Sequence, residues 1–214
     1  MLTGASWHYS YNPTDNYYAT THDASQFVPM HWCLPLTVPL PSYANSSIIL
    51  GPNEPNNLHN CNRAPADIAA AWGPFMSMWP EARLVSPATA GNGVPWLDAF
   101  FANCTHLYGA QGCRLSAVAV HDYSCTASNT LAYLQTVHDR YKLPVWLTEF
   151  SCGDGAQNKP QAQHLAYMRE VLPLLDAAPY VERYAWMSAV SANRGLYDAH
   201  TGKLTPVGEL FNTV

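Results

Sequence analysis

Short apolar runs recur along the chain and alternate with longer amphipathic segments. Seven runs have the length and the β-branched or aromatic content of strands, and most are continuously apolar, as expected for strands covered on both faces. They are residues 5–11, 26–32, 47–54, 83–89, 116–123, 144–150 and 181–188. The pattern therefore predicts a sheet made largely of parallel strands.

Helical patterns lie between these runs, at residues 67–79, 128–142 and 160–178. The first contains Gly73-Pro74, which is predicted to kink or break the helix, because proline lacks an N–H and crowds the preceding turn. The second is predicted to be capped by Ser128 or Asn129. Strands that alternate with helices predict an α/β fold, either closed as a barrel or open and doubly wound.

Polar and aromatic residues cluster at the carboxyl ends of several predicted strands. No G-x-G-x-x-G follows the first strand, so a dinucleotide-binding fold lacks its fingerprint. In a (β/α)8 barrel the carboxyl ends of the strands form the rim where active sites are built. We therefore predict a TIM-type barrel. With seven strand segments in 214 residues the barrel is short, since the fold usually needs about 250 residues.

Composition narrows the class of protein. No linker, repeat or low-complexity tract divides the chain, which predicts one domain over residues 1–214. Charged residues make up 12% of the chain, about half the usual share, whereas seven Trp and 13 Tyr are a heavy aromatic load. Ten Lys and Arg against 15 Asp and Glu, without a basic cluster, argue against a nucleic-acid partner. No apolar run approaches the roughly 20 residues that span a bilayer.

Six cysteines are spread widely along the chain. They form no C-x-x-C, and no H-E-x-x-H occurs, so we expect no metal site. An even number at wide spacing is typical of disulfides in an oxidising compartment. The sequons at Asn45 and Asn103 favour the same compartment. The start "MLTGASWHYS" does not resemble a signal peptide, and we expect a secreted protein whose signal is not part of this sequence.

The strand order predicts how the cysteines pair. The members of two pairs follow adjacent strands, and those of a third close a short local loop. The expected bridges are Cys33–Cys61, Cys125–Cys152 and Cys104–Cys113.

Two glutamates end strand segments, Glu54 in "ILGPNE" and Glu149 in "VWLTEF". Pro52 and Pro55 flank Glu54 and predict a stiff, non-helical backbone there. A pair of carboxylates that converge across a barrel mouth is the equipment of a glycosidase. The alternatives are a surface acid in a proline-rich loop for Glu54, and an ion pair or helix cap for Glu149. Their shared position at strand ends, among aromatic residues, favours a catalytic role for both glutamates over these structural roles.

The neighbours of the two acids fit a sugar site. Asn53 could donate to a sugar hydroxyl beside the reacting carbon. Tyr123 could donate to the nucleophile and keep it ionised, and His121 lies on the same strand face, although a structural role is equally open for both. Several tryptophans could stack on pyranose rings, with core packing as the alternative for each: Trp7, Trp32, Trp96 and Trp186.

Six blocks, in this order, resemble the catalytic domain of glycoside hydrolase family 128: "FVPMHW", "ILGPNEPN", "RLVSPATAGNGVPWLDAFF", "AVAVHDY", "VWLTEF" and "VERYAWM". The resemblance covers roughly residues 26–211. It implies a secreted β-1,3-glucanase on a clan A (β/α)8 barrel. In that clan the acid/base follows an Asn at the end of strand four, and the nucleophile ends strand seven. The resemblance thus implies Glu54 as acid/base and Glu149 as nucleophile of a retaining mechanism.

The resemblance also sets expectations for the remaining features. If "ILGPNE" is strand four, only two strands precede it, so the first barrel strand is absent or reduced. His121-Asp122-Tyr123 stands where the family often has His-Trp-Tyr. We expect no cofactor, a β-1,3-glucan as the partner, and a monomer. A non-catalytic glucan-binding barrel and a clan A hydrolase of another β-linked glycan remain alternatives, and internal against terminal cleavage stays open.

Overall fold

The computed structural model describes residues 5–11, 27–36 and 46–213, and these divide into two compact units. The first unit runs from Trp7 to Val120, and most of the second is residues 121–213. Each unit combines parallel strands with helices. The α/β class predicted from the alternating pattern is therefore confirmed.

The first unit is built on three parallel strands, β1 (Ile48–Leu50), β2 (Arg83–Val85) and β3 (Leu115–Asp122), the last two residues of which belong to the second unit. Helix α1 (Pro65–Met78) connects β1 to β2, and α2 (Val94–Tyr108), which the sequence reasoning missed, leads from β2 to β3. The core between sheet and helices consists of fully buried side chains: Ile49, Ile68, Trp72, Phe75, Leu84 and Phe100.

Two predicted strands, residues 5–11 and 26–32, are shorter than expected. In both segments the described residues form only isolated bridges, such as that between Met30 and Leu50. The Leu50 N–H donates to the Pro29 carbonyl at 2.9 Å. Because Pro29 has no N–H, it cannot extend the ladder in return. Residue 26 lies outside the described part of the chain.

Helix α1 continues through Gly73-Pro74, so the predicted break is wrong. The phenol of Tyr108, at the end of α2, replaces the missing backbone contacts. Its oxygen accepts the Gly73 N–H at 2.9 Å and lies 2.7 Å from the Ala69 carbonyl and 3.3 Å from that of Ala70. Proline at 74 leaves the Ala70 carbonyl without its helical donor. A side chain from a neighbouring helix therefore satisfies the groups that the proline frees.

The second unit contains β4 (Val145–Phe150) and β5 (Val181–Trp186), which are parallel. Helices α3 (Ala127–Tyr141), α4 (Gln161–Ala177) and α5 (Pro206–Phe211) accompany them. α4 packs against α3, α5 and β5. Every residue of β4 is buried, Thr148 and Glu149 included, as expected for a strand that is covered on both faces.

The start of α3 differs from the prediction. The helix begins at Ala127, and Thr126 occupies the N-cap position without a side-chain cap hydrogen bond. Ser128 and Asn129 therefore lie inside the first turn, where they are exposed, rather than at the cap. The pattern located the helix to within a residue, but the cap depends on where the preceding loop turns.

Five strands are present in the described residues. The closed eight-stranded barrel and the single domain over residues 1–214 therefore stay predictions. The three disulfides join Cys33 to Cys61, Cys104 to Cys113 and Cys125 to Cys152, which confirms the predicted pairing, and each lies within one unit. Over the same described ranges, no helix is long and apolar enough to cross a membrane.

Candidate active site

Backbone hydrogen bonds fix Glu54 just beyond the end of β1. The Asn53 N–H donates to the Trp32 carbonyl at 2.8 Å, and the Glu54 N–H donates to the Ala88 carbonyl at 2.7 Å. Glu54 has a φ of 43°, in the left-handed region that non-glycine residues rarely occupy. Glu54 is only 6% exposed. The acid is thus placed by pairing on both sides as well as by its flanking prolines.

Gly51 explains how β1 can end so close to its neighbours. A Cβ on Gly51 would lie 2.9 Å from the Pro87 nitrogen and 2.9 Å from the Trp72 ring. Only a residue without a side chain fits such a close approach. The sequence "ILGPNE" therefore brings its carboxylate to the sheet edge by packing backbone directly against backbone.

Two asparagine side chains contact the Glu54 carboxylate, and the sequence reasoning did not single them out. The Asn57 amide donates to Oε2 at 2.7 Å, and the Asn60 amide donates to the same oxygen at 2.5 Å. The preceding Asn56 pairs with the backbone of Ala90 through both its amide nitrogen and its amide oxygen. The only sequence trace of this arrangement is the density of asparagines in "NEPNNLHNCN".

The second unit brings three predicted site residues together. The Tyr123 hydroxyl donates to Oε2 of Glu149 at 2.5 Å, and Nδ1 of His121 lies 3.3 Å from the same oxygen. His121 and Tyr123 are two residues apart along the end of β3, so both point to one face. His121 is fully buried and Glu149 is 4% exposed. The hydroxyl of Tyr123 therefore holds Oε2 of Glu149 in a fixed position at the end of β4.

Arg194 lies beneath this group and was also missed. Its guanidinium is 5.7 Å from the centre of the Tyr123 ring, within cation–π range. It donates to the Ser151 hydroxyl at 3.1 Å, the Gly153 carbonyl at 2.9 Å and the Asp154 carboxylate at 3.0 Å. The arginine therefore ties the loop after β4 to the chain that follows β5. A single arginine in "SANRGLY" carries no sequence pattern that reveals this.

Asp122 has a structural role at the end of β3. Its carboxylate accepts hydrogen bonds from the hydroxyls of Ser124, at 2.9 Å, and Thr130. Thr130 in turn contacts the Tyr167 hydroxyl at 2.7 Å. Burial raises the pKa of Tyr167, so its hydroxyl remains protonated. Asp122 thus connects the end of β3 with α3 and α4.

His164 pins α4 to the loop after β4. Its Nδ1 accepts the Cys152 N–H at 3.2 Å, which leaves Nε2 to donate to the Asn158 side-chain oxygen at 2.8 Å. Burial lowers the pKa of His164, and the charge of Arg194 acts in the same direction. The neutral imidazole is therefore the form that fits these two contacts.

The predicted stacking residue Trp186 is 6% exposed. Its indole N–H donates to the Arg194 carbonyl at 2.8 Å, and its ring meets Phe150 edge to face, with centroids 5.1 Å apart. Trp186 thus packs beside the residue that follows Glu149.

The three other predicted tryptophans lie in the first unit. Trp32 is 39% exposed. Trp96, on α2, stacks on Phe100 with centroids 5.6 Å apart and donates to the Arg63 carbonyl at 3.1 Å. Trp7 stacks on Tyr9 at 5.8 Å. Of the four tryptophans, Trp32 therefore offers an exposed ring, whereas Trp96 has one face covered by the core.

Buried carboxylates at the strand ends of an α/β fold are typical of the catalytic core of a glycosidase. The model of the glycosyl hydrolase catalytic core family matches residues 1–211, and the chain belongs to this family. The assignment to glycoside hydrolase family 128, predicted from the six sequence blocks, is confirmed.

Two solved structures and one curated protein illustrate the relationship. A subgroup I endo-β-1,3-glucanase of family 128 from Amycolatopsis mediterranei, bound to laminaritriose, is 26% identical with a TM-score of 0.84 and covers 98% of this chain and 90% of its own. A subgroup III curdlan-specific exo-β-1,3-glucanase from Blastomyces gilchristii, bound to glucose, is 27% identical with a TM-score of 0.74. The match spans 98% of this chain and 89% of that enzyme's chain.

The curated protein is alkali-sensitive linkage protein 1 of Schizosaccharomyces pombe, which is 26% identical over 97% of this chain. The match spans 40% of the length of that relative.

Proposed function

We propose that this protein is a secreted β-1,3-glucanase that cleaves with retention of configuration, with Glu149 as nucleophile and Glu54 as acid/base. The observation that carries the proposal is the pair of contacts from Tyr123 and His121 to one oxygen of Glu149. These contacts hold the carboxylate in one orientation, which is what a nucleophile requires. Family membership, and relatives described as β-1,3-glucanases, supply the substrate class.

The reaction follows from these roles. Glu149 attacks the anomeric carbon while Glu54 gives its proton to the departing glycosidic oxygen, so the bond between that carbon and oxygen breaks as the glycosyl ester forms. Glu54, now ionised, removes a proton from water, which displaces Glu149 and releases the sugar with its original β configuration. Retention requires the two carboxyl groups to lie about 5–5.5 Å apart.

Substrate is held by ring faces and neutral hydrogen bonds, because a glucan carries no charge. We assign Trp32 to stacking because its ring is exposed. We also assign four further residues to the lining of the substrate site: Trp96, His121, Tyr123 and Trp186. Asn53 is assigned to the hydroxyl beside the reacting carbon. Its side-chain oxygen is buried and accepts no hydrogen bond in the described part of the chain, and a sugar hydroxyl would supply the donor.

The wider biology is part of the same proposal. All six cysteines are paired, which supports an oxidising, extracellular location. Asn103, half-buried on α2, is the candidate for glycosylation within the described residues, whereas Asn45 lies outside them. We further propose a monomer, with the (β/α)8 architecture and reduced first strand that the family resemblance implies.

The test is a product profile on laminarin and on defined β-1,3-oligosaccharides. A ladder of oligosaccharides indicates internal cleavage, and glucose or one short product from the outset indicates cleavage at an end. Absence of any reducing-sugar release would favour a glucan-binding protein without activity. Release from another β-linked glycan alone would reassign the substrate.

Azide distinguishes the two acids. With an activated aryl laminarioside, Glu54→Ala should form the glycosyl ester and then stall, and azide should release a β-glycosyl azide. Glu149→Ala should give the α-glycosyl azide by direct displacement. The opposite configurations would reverse the two assignments.

A further inference from the structure

The loop that follows Glu54 returns to its side chain through two successive turns. The Asn57 N–H donates to the Glu54 carbonyl at 3.0 Å, and the Asn60 N–H donates to the Asn57 carbonyl at 3.1 Å. The next residue, Cys61, is bridged to Cys33. The backbone therefore fixes both asparagines beside the carboxylate whose Oε2 they contact.

The orientation of the Asn57 amide is set by its other contact. Its side-chain oxygen accepts the His59 N–H at 3.0 Å, so the group that faces Glu54 must be the NH₂. An NH₂ group donates and cannot accept. Oε2 of Glu54 therefore faces the Asn57 donor whether the carboxyl group is ionised or neutral.

We propose that Asn57 and Asn60 are positioning residues that reserve Oε2 of Glu54 as a hydrogen-bond acceptor and so make Oε1 the oxygen that carries and transfers the catalytic proton. When Glu54 is neutral, a proton on Oε2 would point at a donor, which is unfavourable, so the proton resides on Oε1. When Glu54 is ionised, the same two donors stabilise the charge and keep Oε1 in place to accept a proton from water. This inference rests on the proposed role of Glu54 as acid/base.

The experiment compares two substrates that differ in their need for an acid. A laminari-oligosaccharide has a poor leaving group and requires proton transfer, whereas a dinitrophenyl laminarioside does not require it for the first step. The parameter is kcat/KM, which reports that first step. Asn57→Ala and Asn60→Ala should each lower kcat/KM for the oligosaccharide about tenfold or more and leave that for the aryl substrate within about twofold.

Asn60→Leu separates donation from loop folding. Leucine keeps the approximate size of the side chain and the backbone hydrogen bond from the residue 60 N–H to the Asn57 carbonyl, but it cannot donate to Glu54. We expect a melting temperature close to that of the unaltered protein, together with the same selective loss on the oligosaccharide. Asn129→Ala, at an exposed position on α3, is the matched control and should change neither substrate.

Glu54→Gln supplies the reference, because it should show the same selectivity with a larger loss. If Glu54→Gln is selective and the asparagine variants are not, the inference fails while the proposed function stands. Equal losses on both substrates would reduce the asparagines to a structural role and overturn the inference. If Glu54→Gln itself is not selective, the acid/base assignment fails and the inference fails with it.

Discussion

The Tyr123 hydroxyl donates to Glu149 through a 2.5 Å hydrogen bond. Tyr123→Phe keeps the ring over Arg194 but removes that donor. We expect kcat on laminari-oligosaccharides to fall about tenfold to a hundredfold with little change in melting temperature, because Glu149 loses a hydrogen bond that orients it. Steady-state kinetics and thermal unfolding measure the two effects.

The control is Tyr180→Phe. The Tyr180 hydroxyl donates to the Leu131 carbonyl of α3 at 3.4 Å. Tyr180→Phe should leave kcat unchanged, because the hydrogen bond that it removes lies at α3 and not at Glu149. If Tyr123→Phe also left kcat unchanged, Tyr123 would have no role in activating Glu149.

The residues that the sequence revealed and those it hid differ in kind. Glu54, Glu149 and Tyr123 were found because strand ends are visible in the hydrophobic pattern, and the predicted contact from Tyr123 to Glu149 is present. Asn57 and Arg194 were missed, because their contacts depend on how loops turn back. Loop conformation depends on backbone hydrogen bonds that no periodic pattern records.

Tyr108, at the end of α2, satisfies backbone groups of α1 that have no partner within that helix. Tyr108→Phe would leave the Gly73 N–H and the Ala69 carbonyl of α1 without their partner, and we expect a loss of about 1–3 kcal/mol in the free energy of unfolding. Pro74→Ala restores an N–H that can bond the Ala70 carbonyl. Urea denaturation of both single variants and the double variant completes the cycle.

The expected coupling in this cycle has a definite sign. Tyr108→Phe should cost less in the Pro74→Ala background, because a regular helix needs the phenol less. Strict additivity of the two changes would contradict the repair by Tyr108.

His31 makes stability depend on pH. It is 5% exposed beside Phe75, and burial lowers its pKa from 6.5 to about 4. Between these values the unfolded chain binds a proton that the folded protein does not. The stability contributed by neutral His31 is therefore fully present above pH 6.5 and is lost as the pH falls towards about 4.

His31→Gln removes this titration. The fall in the free energy of unfolding from pH 7 to pH 4 should be about 2–3 kcal/mol smaller in the variant than in the unaltered protein. Chemical denaturation at the two pH values measures it, with His106→Gln, at an exposed position on α2, as the control. An equal fall in His31→Gln and the unaltered protein would mean that His31 is not the group responsible.

The three disulfides stabilise the protein by closing loops of different length in the unfolded chain. Two of them close loops with sequence separations of 28 and 27, and the third closes one of 9. Loop-closure entropy predicts contributions of about 3.5 kcal/mol for the longer loops and about 2.5 kcal/mol for the short one. Paired Cys→Ala variants should therefore lose least stability at Cys104 and Cys113. A larger loss there than at Cys125 and Cys152 would contradict the loop-length order.

By itself the sequence determined the α/β class, the cysteine pairing and the family. Each depends on a pattern that can be read directly from the sequence: continuous apolar strands, the spacing of cysteines and ordered motif blocks. The two glutamates were nominated the same way, from their places at strand ends.

Only the tertiary structure decided the length of the first strands, the continuity of α1 and the side chains that touch each acid. These features depend on partners distant in sequence. Pro29 limits a ladder because of what lies beside it, and Pro74 is tolerated because Tyr108 comes from another helix. Arg194 reaches the ring of Tyr123 from 71 residues further along the chain. Such contacts are fixed by the packed fold, since no local preference of the chain distinguishes these residues from their neighbours.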